Sequence, residues 1–69
     1  MTEFKVLGIC ESLDTAELFD SESYTECRDW LWRYVKHNDG GYPMIVVARY
    51  DNGELQSWTR EYERREYHA

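Results

Sequence analysis

The sequence predicts a small α+β domain: one α-helix over about residues 24–38, packed across a small antiparallel sheet in the order β-(β)-α-β-β. Three observations predict it. Residues 23–38 join a helix-start signal to large apolar side chains at helical spacing. Asp51, Asn52 and Gly53 separate two strand-like runs, as a tight hairpin turn requires. Residues 3–10 form an apolar run of strand length. The chain has 69 residues, enough for a single domain over 1–69 with a modest core. Its 42% hydrophobic and 16% aromatic content is too rich for a disordered chain, and large rings bury much area per residue.

Residues 3–10 read as the first strand. Phe4, Val6, Gly8 and Cys10 alternate with Lys5, Leu7 and Ile9. Both sides are mostly apolar, which suits a central strand covered on both faces, or covered on one of them at an interface. Gly8 marks a bulge or a close approach of another group. Leu13 and Asp14 suggest a turn, and 15–19 then form a short second strand, with Ala16 and Leu18 opposite to Thr15, Glu17 and Phe19. A helical turn, or a loop docking Leu18 and Phe19 on the core, is the alternative.

The helix follows. Ser23 and Glu26 have capping-box spacing, each side chain serving the other's backbone N–H. Tyr24, Cys27, Trp30, Leu31, Tyr34 and Asn38 share one side, while Glu26, Asp29, Arg33 and Lys36 share the other. Gly40 and Gly41 accept a left-handed backbone and end the helix. Pro43 lacks an N–H and fits the start of a strand. Residues 43–50 and 55–62 make the final hairpin. A two-residue turn pairs Tyr50 with Leu55 and Val47 with Trp58; a three-residue turn with a bulge instead puts Val46 near Trp58. Residues 63–69 continue the strand, fray, or form a helical turn with Glu61 paired to Arg65.

The net charge of −6 is concentrated. Residues 11–29 hold seven acids (Glu11, Asp14, Glu17, Asp20, Glu22, Glu26, Asp29) and one base, Arg28. From residue 30 onward, acids and bases balance. An acidic surface repels phosphate, so duplex nucleic acid is an unfavourable partner. It attracts a basic protein and speeds that encounter. Cys10 and Cys27 are too few for a disulfide framework and read as reduced, which favours a cytoplasmic location. No signal peptide, lipidation box or membrane-length apolar run is visible.

Chemistry-bearing motifs are sparse. Cys10, Cys27, His37 and His68 lack metal-ligand spacing, so no metal or cofactor is expected. His37 stands ten residues after Cys27, nearly three helical turns away, so the pair is no nucleophile and base. The chain is expected not to be an enzyme. Trp32 sits about 140° from Cys27 on the helical wheel, off the apolar stripe, and is either tucked under the chain or a contact residue. With Glu22, Glu26 and Asp29 steering and Trp32 anchoring, the helix offers a partner-binding flank. The strand face carrying Trp58, Arg60 and Tyr62, with Arg49 across the hairpin, interleaves rings and guanidiniums, a pattern that stacks single-stranded bases or packs as ordinary cross-strand pairs.

The expectation for function is a small acidic, non-enzymatic module that binds a larger, basic-surfaced protein as modulator or inhibitor. That protein is one that handles nucleic acid, if the acids mimic phosphate. Compact, motif-free acidic chains of this size are the kind that phages and mobile elements carry. Single-stranded nucleic-acid binding is the alternative, and exposed rings and strand edges leave a homodimer open.

Overall fold

The computed structural model describes residues 1–38 and 41–64. They form β1 (Thr2–Ile9), β2 (Thr15–Ser21), α1 (Tyr24–Asn38), β3 (Met44–Asp51) and β4 (Glu54–Glu63). The strands make one antiparallel sheet in the order β2-β1-β3-β4, with α1 on one face. This is the expected α+β class. Residues 15–19 belong to a strand, and β1 lies inside the sheet.

The start of α1 follows from its cap. The Glu26 N–H donates to Ser23 Oγ at 3.2 Å, and the Cys27 N–H to the Ser23 carbonyl at 3.1 Å. The reciprocal half of the capping box is not made. The Ser23 N–H donates instead to Ser21 Oγ at 3.1 Å, which leaves the Glu26 carboxylate at the surface. At the other end the Asn38 side-chain amide donates to the Tyr34 carbonyl at 3.0 Å. Gly41 has φ +72°, the left-handed backbone expected of it; Gly40 lies outside the described residues.

The strands depart from simple alternation at three bulges. In β2, Val6 pairs with Phe19 and Leu7 with Glu17, so Leu18 is the extra residue. Leu18 and Phe19 both pack on the core, which corrects the expected opposition of Leu18 and Phe19. The β3–β4 turn has two residues, Asn52 at φ 52° and Gly53 at φ 84°, the pattern of a tight hairpin turn. Tyr50 pairs with Leu55 as expected. A bulge at Gln56 then shifts the register, and Trp58 pairs with Ala48 rather than with Val47 or Val46. A further bulge at Glu61 brings Tyr62 opposite Ile45. The strand runs to Glu63; the expectation of fraying or a helical turn falls mainly on residues 65–69, outside the described ones.

Val6, Ile45 and Val47 of the sheet meet Cys27 and Leu31 of α1 in the buried core. One flank of the helix carries a series of stacked rings. Phe19 lies on Trp30 (centroids 5.1 Å apart), Trp30 on Tyr34 (5.2 Å) and Tyr34 beside Tyr42 (6.5 Å). The Tyr42 ring covers Gly8, where a Cβ would stand 2.7 Å from two ring atoms. That is the close approach expected at this glycine. On its other flank α1 reaches β4 through Arg28, whose Nε is 3.6 Å from Glu61, and through Trp32, edge-on to Tyr62 at 6.3 Å.

Candidate interaction surfaces

The acidic flank arises where β2 hands the chain to α1. Glu22 lies in the short connection, Glu26 in the first turn, and Asp29 one turn further along; all three are exposed. Carboxylates near a helix N-terminus are favoured by its dipole, so Glu22 and Glu26 sit where they cost the fold little. Among the described residues, no ion pair involves any of the three; Arg28, the one base of this run, turns away to Glu61. Other acids of the run are engaged. Glu17 bonds Lys5 Nζ at 2.9 Å, and Glu11 bonds Arg64 at 3.1 Å. Glu22, Glu26 and Asp29 thus keep free carboxylates on the α1 side, where Arg33 and Lys36 share the helix surface with Glu26 and Asp29 without an ion pair to them.

Trp32 continues this flank. It is 45% exposed, so it is neither tucked away nor free: one edge rests on Tyr62 and the rest of the indole meets solvent. At about 1.5 Å per residue, the helical part of the flank from Glu26 to Trp32 is roughly 9 Å long. A half-supported ring beside unpaired acids matches the composition of contact hot spots.

Among the described residues, no layer covers the opposite face of the sheet. Leu7 and Ile9 of β1, Leu55 and Trp58 of β4 and Thr15 of β2 line a groove of about 240 Å³ over Val46 and Ala48. That is below the roughly 300 Å³ at which pockets enclosing a small molecule begin. Leu55 is 53% exposed and Trp58 51%. Charge here is matched locally. Lys5 binds Glu17, with Glu3 at 4.0 Å, and lies 5.1 Å from the Tyr50 ring centre; Arg60 binds Glu63 at 3.0 Å. The carboxylate of Glu17 holds the Lys5 ammonium above its ordinary pKa.

The bulges divide the ring-and-guanidinium set. Trp58 and Arg60 pair with Ala48 and Val46 and belong to the open face. Tyr62 packs on the core beside Trp32, and Arg49 lines a hollow with Phe4 and Tyr24 on the helix side. The expectation of one strand face shared by Arg49, Trp58, Arg60 and Tyr62 is thus corrected. Its cause is the shift at Gln56 and Glu61, which alternation alone does not reveal.

Cys27 is fully buried, and its Sγ approaches the Phe4 carbonyl at 3.5 Å. Burial, with the charges of Glu26 and Asp20, pushes its thiol up to about 11. A thiol that resists ionisation is a poor nucleophile at neutral pH. The same shift has a stability consequence. The folded thiol keeps its proton where the unfolded one has lost it, so stability is full below the ordinary thiol pKa of 9.0 and falls as pH rises toward 11. The loss is on the order of 2 kcal/mol. Urea titrations from pH 8 to pH 11 on the wild type and Cys27→Ala should show the decline steeper in the wild type; parallel curves would count against a protonated buried thiol.

Among the described residues, no three His, Cys, Asp or Glu side chains gather where they could hold a metal ion, and no helix is long and apolar enough to cross a membrane. The chain matches no known protein-family model, no curated protein and no solved structure.

Proposed function

We propose that this chain is a small acidic, non-enzymatic interaction module that binds and modulates, most simply by inhibition, a larger protein with a basic surface. One observation carries the reading: Glu22 just before α1, and Glu26 and Asp29 within it, lie exposed without an ion pair and lead to the half-exposed Trp32. Unpaired acids steer a basic partner, and a supported indole anchors it. The buried, high-pKa thiol of Cys27 supports a role without nucleophilic catalysis. Unpaired Cys10 and Cys27 suit the reducing cytoplasm. The reading also admits self-association, through residues other than the acidic flank.

The test is a capture experiment from the native host's lysate with wild type, Trp32→Ala and the triple reversal Glu22→Lys, Glu26→Lys, Asp29→Lys. A protein captured by the wild type should bind with a rate that falls as salt rises. The reversal should slow association at low salt by tenfold or more and flatten its salt dependence. Trp32→Ala should weaken affinity by roughly thirtyfold, about 2 kcal/mol. A partner indifferent to both changes overturns the proposal.

Single-stranded nucleic-acid binding is the less favoured reading, since its rings and guanidiniums lie on two faces of the sheet. Oligonucleotide titration at low salt, read by tryptophan emission, should give no quenching.

A further inference from the structure

We infer that two copies of this chain stack their open sheet faces about a twofold axis parallel to the strands. The inference is independent of the acidic-flank reading, whose residues belong to the helix side.

The face itself is the first argument. Val46 and Ala48 are buried to 2% and 0% exposure although, among the described residues, no helix covers them. Their neighbours Leu7, Ile9, Leu55 and Trp58 close over them and present apolar atoms outward. A sheet face of this kind ordinarily lies against a second layer about 10 Å away. A single helix covers one face, and the other remains to be matched.

Charge selects the occupant. The face carries acid at its β2 edge, in Glu17, and base at its β4 edge, in Arg60, so a second copy turned over on it is complementary at both edges. A second copy brings an equally apolar surface and leaves Glu22, Glu26 and Asp29 outside the contact.

Charge also selects the geometry. The register places Glu17, Leu7, Val46 and Arg60 in one row across the sheet, acid at the β2 edge and base at the β4 edge. Face-to-face stacking about an axis parallel to the strands lays β2 of one copy over β4 of the other. Glu17 then meets Arg60 of the second copy, twice by symmetry. An axis across the strands sets Glu17 against Glu17 and Arg60 against Arg60, which like-charge repulsion disfavours.

Size and edges agree. Four strands about 4.8 Å apart and about eight residues long present roughly 500 Å² each, so two faces bury on the order of 1,000 Å², the lower bound of a specific interface. Edge-to-edge pairing is obstructed in β4, whose bulges at Gln56 and Glu61 interrupt its ladder.

Sedimentation equilibrium of the full chain, from micromolar to near-millimolar concentration, tests this. The mass should rise from 8.4 kDa toward twice that value, and the dimer should persist at high salt. Trp58→Ser and Leu55→Ser change exposed side chains and should each weaken the dimer about tenfold or more while leaving the circular dichroism spectrum intact. Glu17→Arg or Arg60→Glu alone should weaken it severalfold; the two together should restore it. The triple reversal on the acidic flank should leave it unchanged. A wild type that remains at one-copy mass throughout overturns the inference, as does a dimer indifferent to Trp58 and Leu55 or dissolved by salt. A charge swap that fails to restore association overturns the axis.

Discussion

Leu31→Ala is expected to remove about 2–5 kcal/mol of folding stability, a large part of what a domain of this size possesses. Leu31 is fully buried in α1, among Cys27, Val6, Ile45 and Val47. It is the largest of the fully buried side chains. Truncation forfeits its transfer from water and leaves a cavity that a sheet on one side and a helix on the other cannot readily close. Each kcal/mol lowers the melting midpoint by roughly 4–8 °C in a chain this short, so the variant should melt roughly 10 °C or more below the wild type. Leu55→Ala is the matched control: the same atoms leave a side chain that is 53% exposed, and the loss should stay under about 1 kcal/mol. Both are read by urea denaturation at low protein concentration. Equal losses at the two positions would mean that α1 does not press Leu31 onto the sheet.

Gly8→Ala should destabilise by roughly 1–3 kcal/mol, although alanine ordinarily stabilises a strand position held by glycine. The added Cβ would stand 2.7 Å from Cγ and Cδ2 of Tyr42 and 2.9 Å from Cδ1. These are atoms at the root of the ring, so a small pivot of its tip gives no relief. Tyr42 must move as a whole, and it leans on Tyr34, which stacks on Trp30, which stacks on Phe19. Strain at β1 is thereby passed along the helix flank. Tyr42→Ala removes the obstacle, and Gly8→Ala in that background should cost less than in the wild type, a coupling that a double-mutant cycle measures. A neutral or stabilising Gly8→Ala would show that the ring does not lie over the glycine.

Features legible in the sequence are those governed by a few adjacent residues. Ser23 fixes the start of α1 through a bond three residues long, and the apolar stripe keeps one phase over four turns. Asn52 and Gly53 tolerate the positive φ that the turn imposes, so its place was readable. The apolar character of both sides of β1 marks an inner strand, which β1 is; among the described residues, α1 covers its Phe4 and Val6 side, and the Leu7 and Ile9 side is open. The bulges at Leu18, Gln56 and Glu61 were not readable. A bulge settles how two distant strands share length and twist, and nothing in either strand alone encodes it. Simple alternation consequently places Tyr62, Trp58 and Arg49 on one face, and the bulges separate them. Ion pairs such as Lys5 with Glu17 and Glu11 with Arg64 are equally non-local, and they decide which carboxylates remain unpaired. The placement of Glu22, Glu26, Asp29 and Trp32 depends on one helix and the residues that lead into it, that of the other set on a register.

The three tryptophans occupy three different settings. Trp30 is sandwiched between Phe19 and Tyr34 in the helix–sheet seam, Trp32 borders the acidic flank, and Trp58 stands on the uncovered sheet. Each region of the molecule thus carries its own built-in fluorophore. Replacing two of them with phenylalanine leaves a single emitter whose wavelength and quenching report unfolding, partner capture or self-stacking separately, without any attached dye.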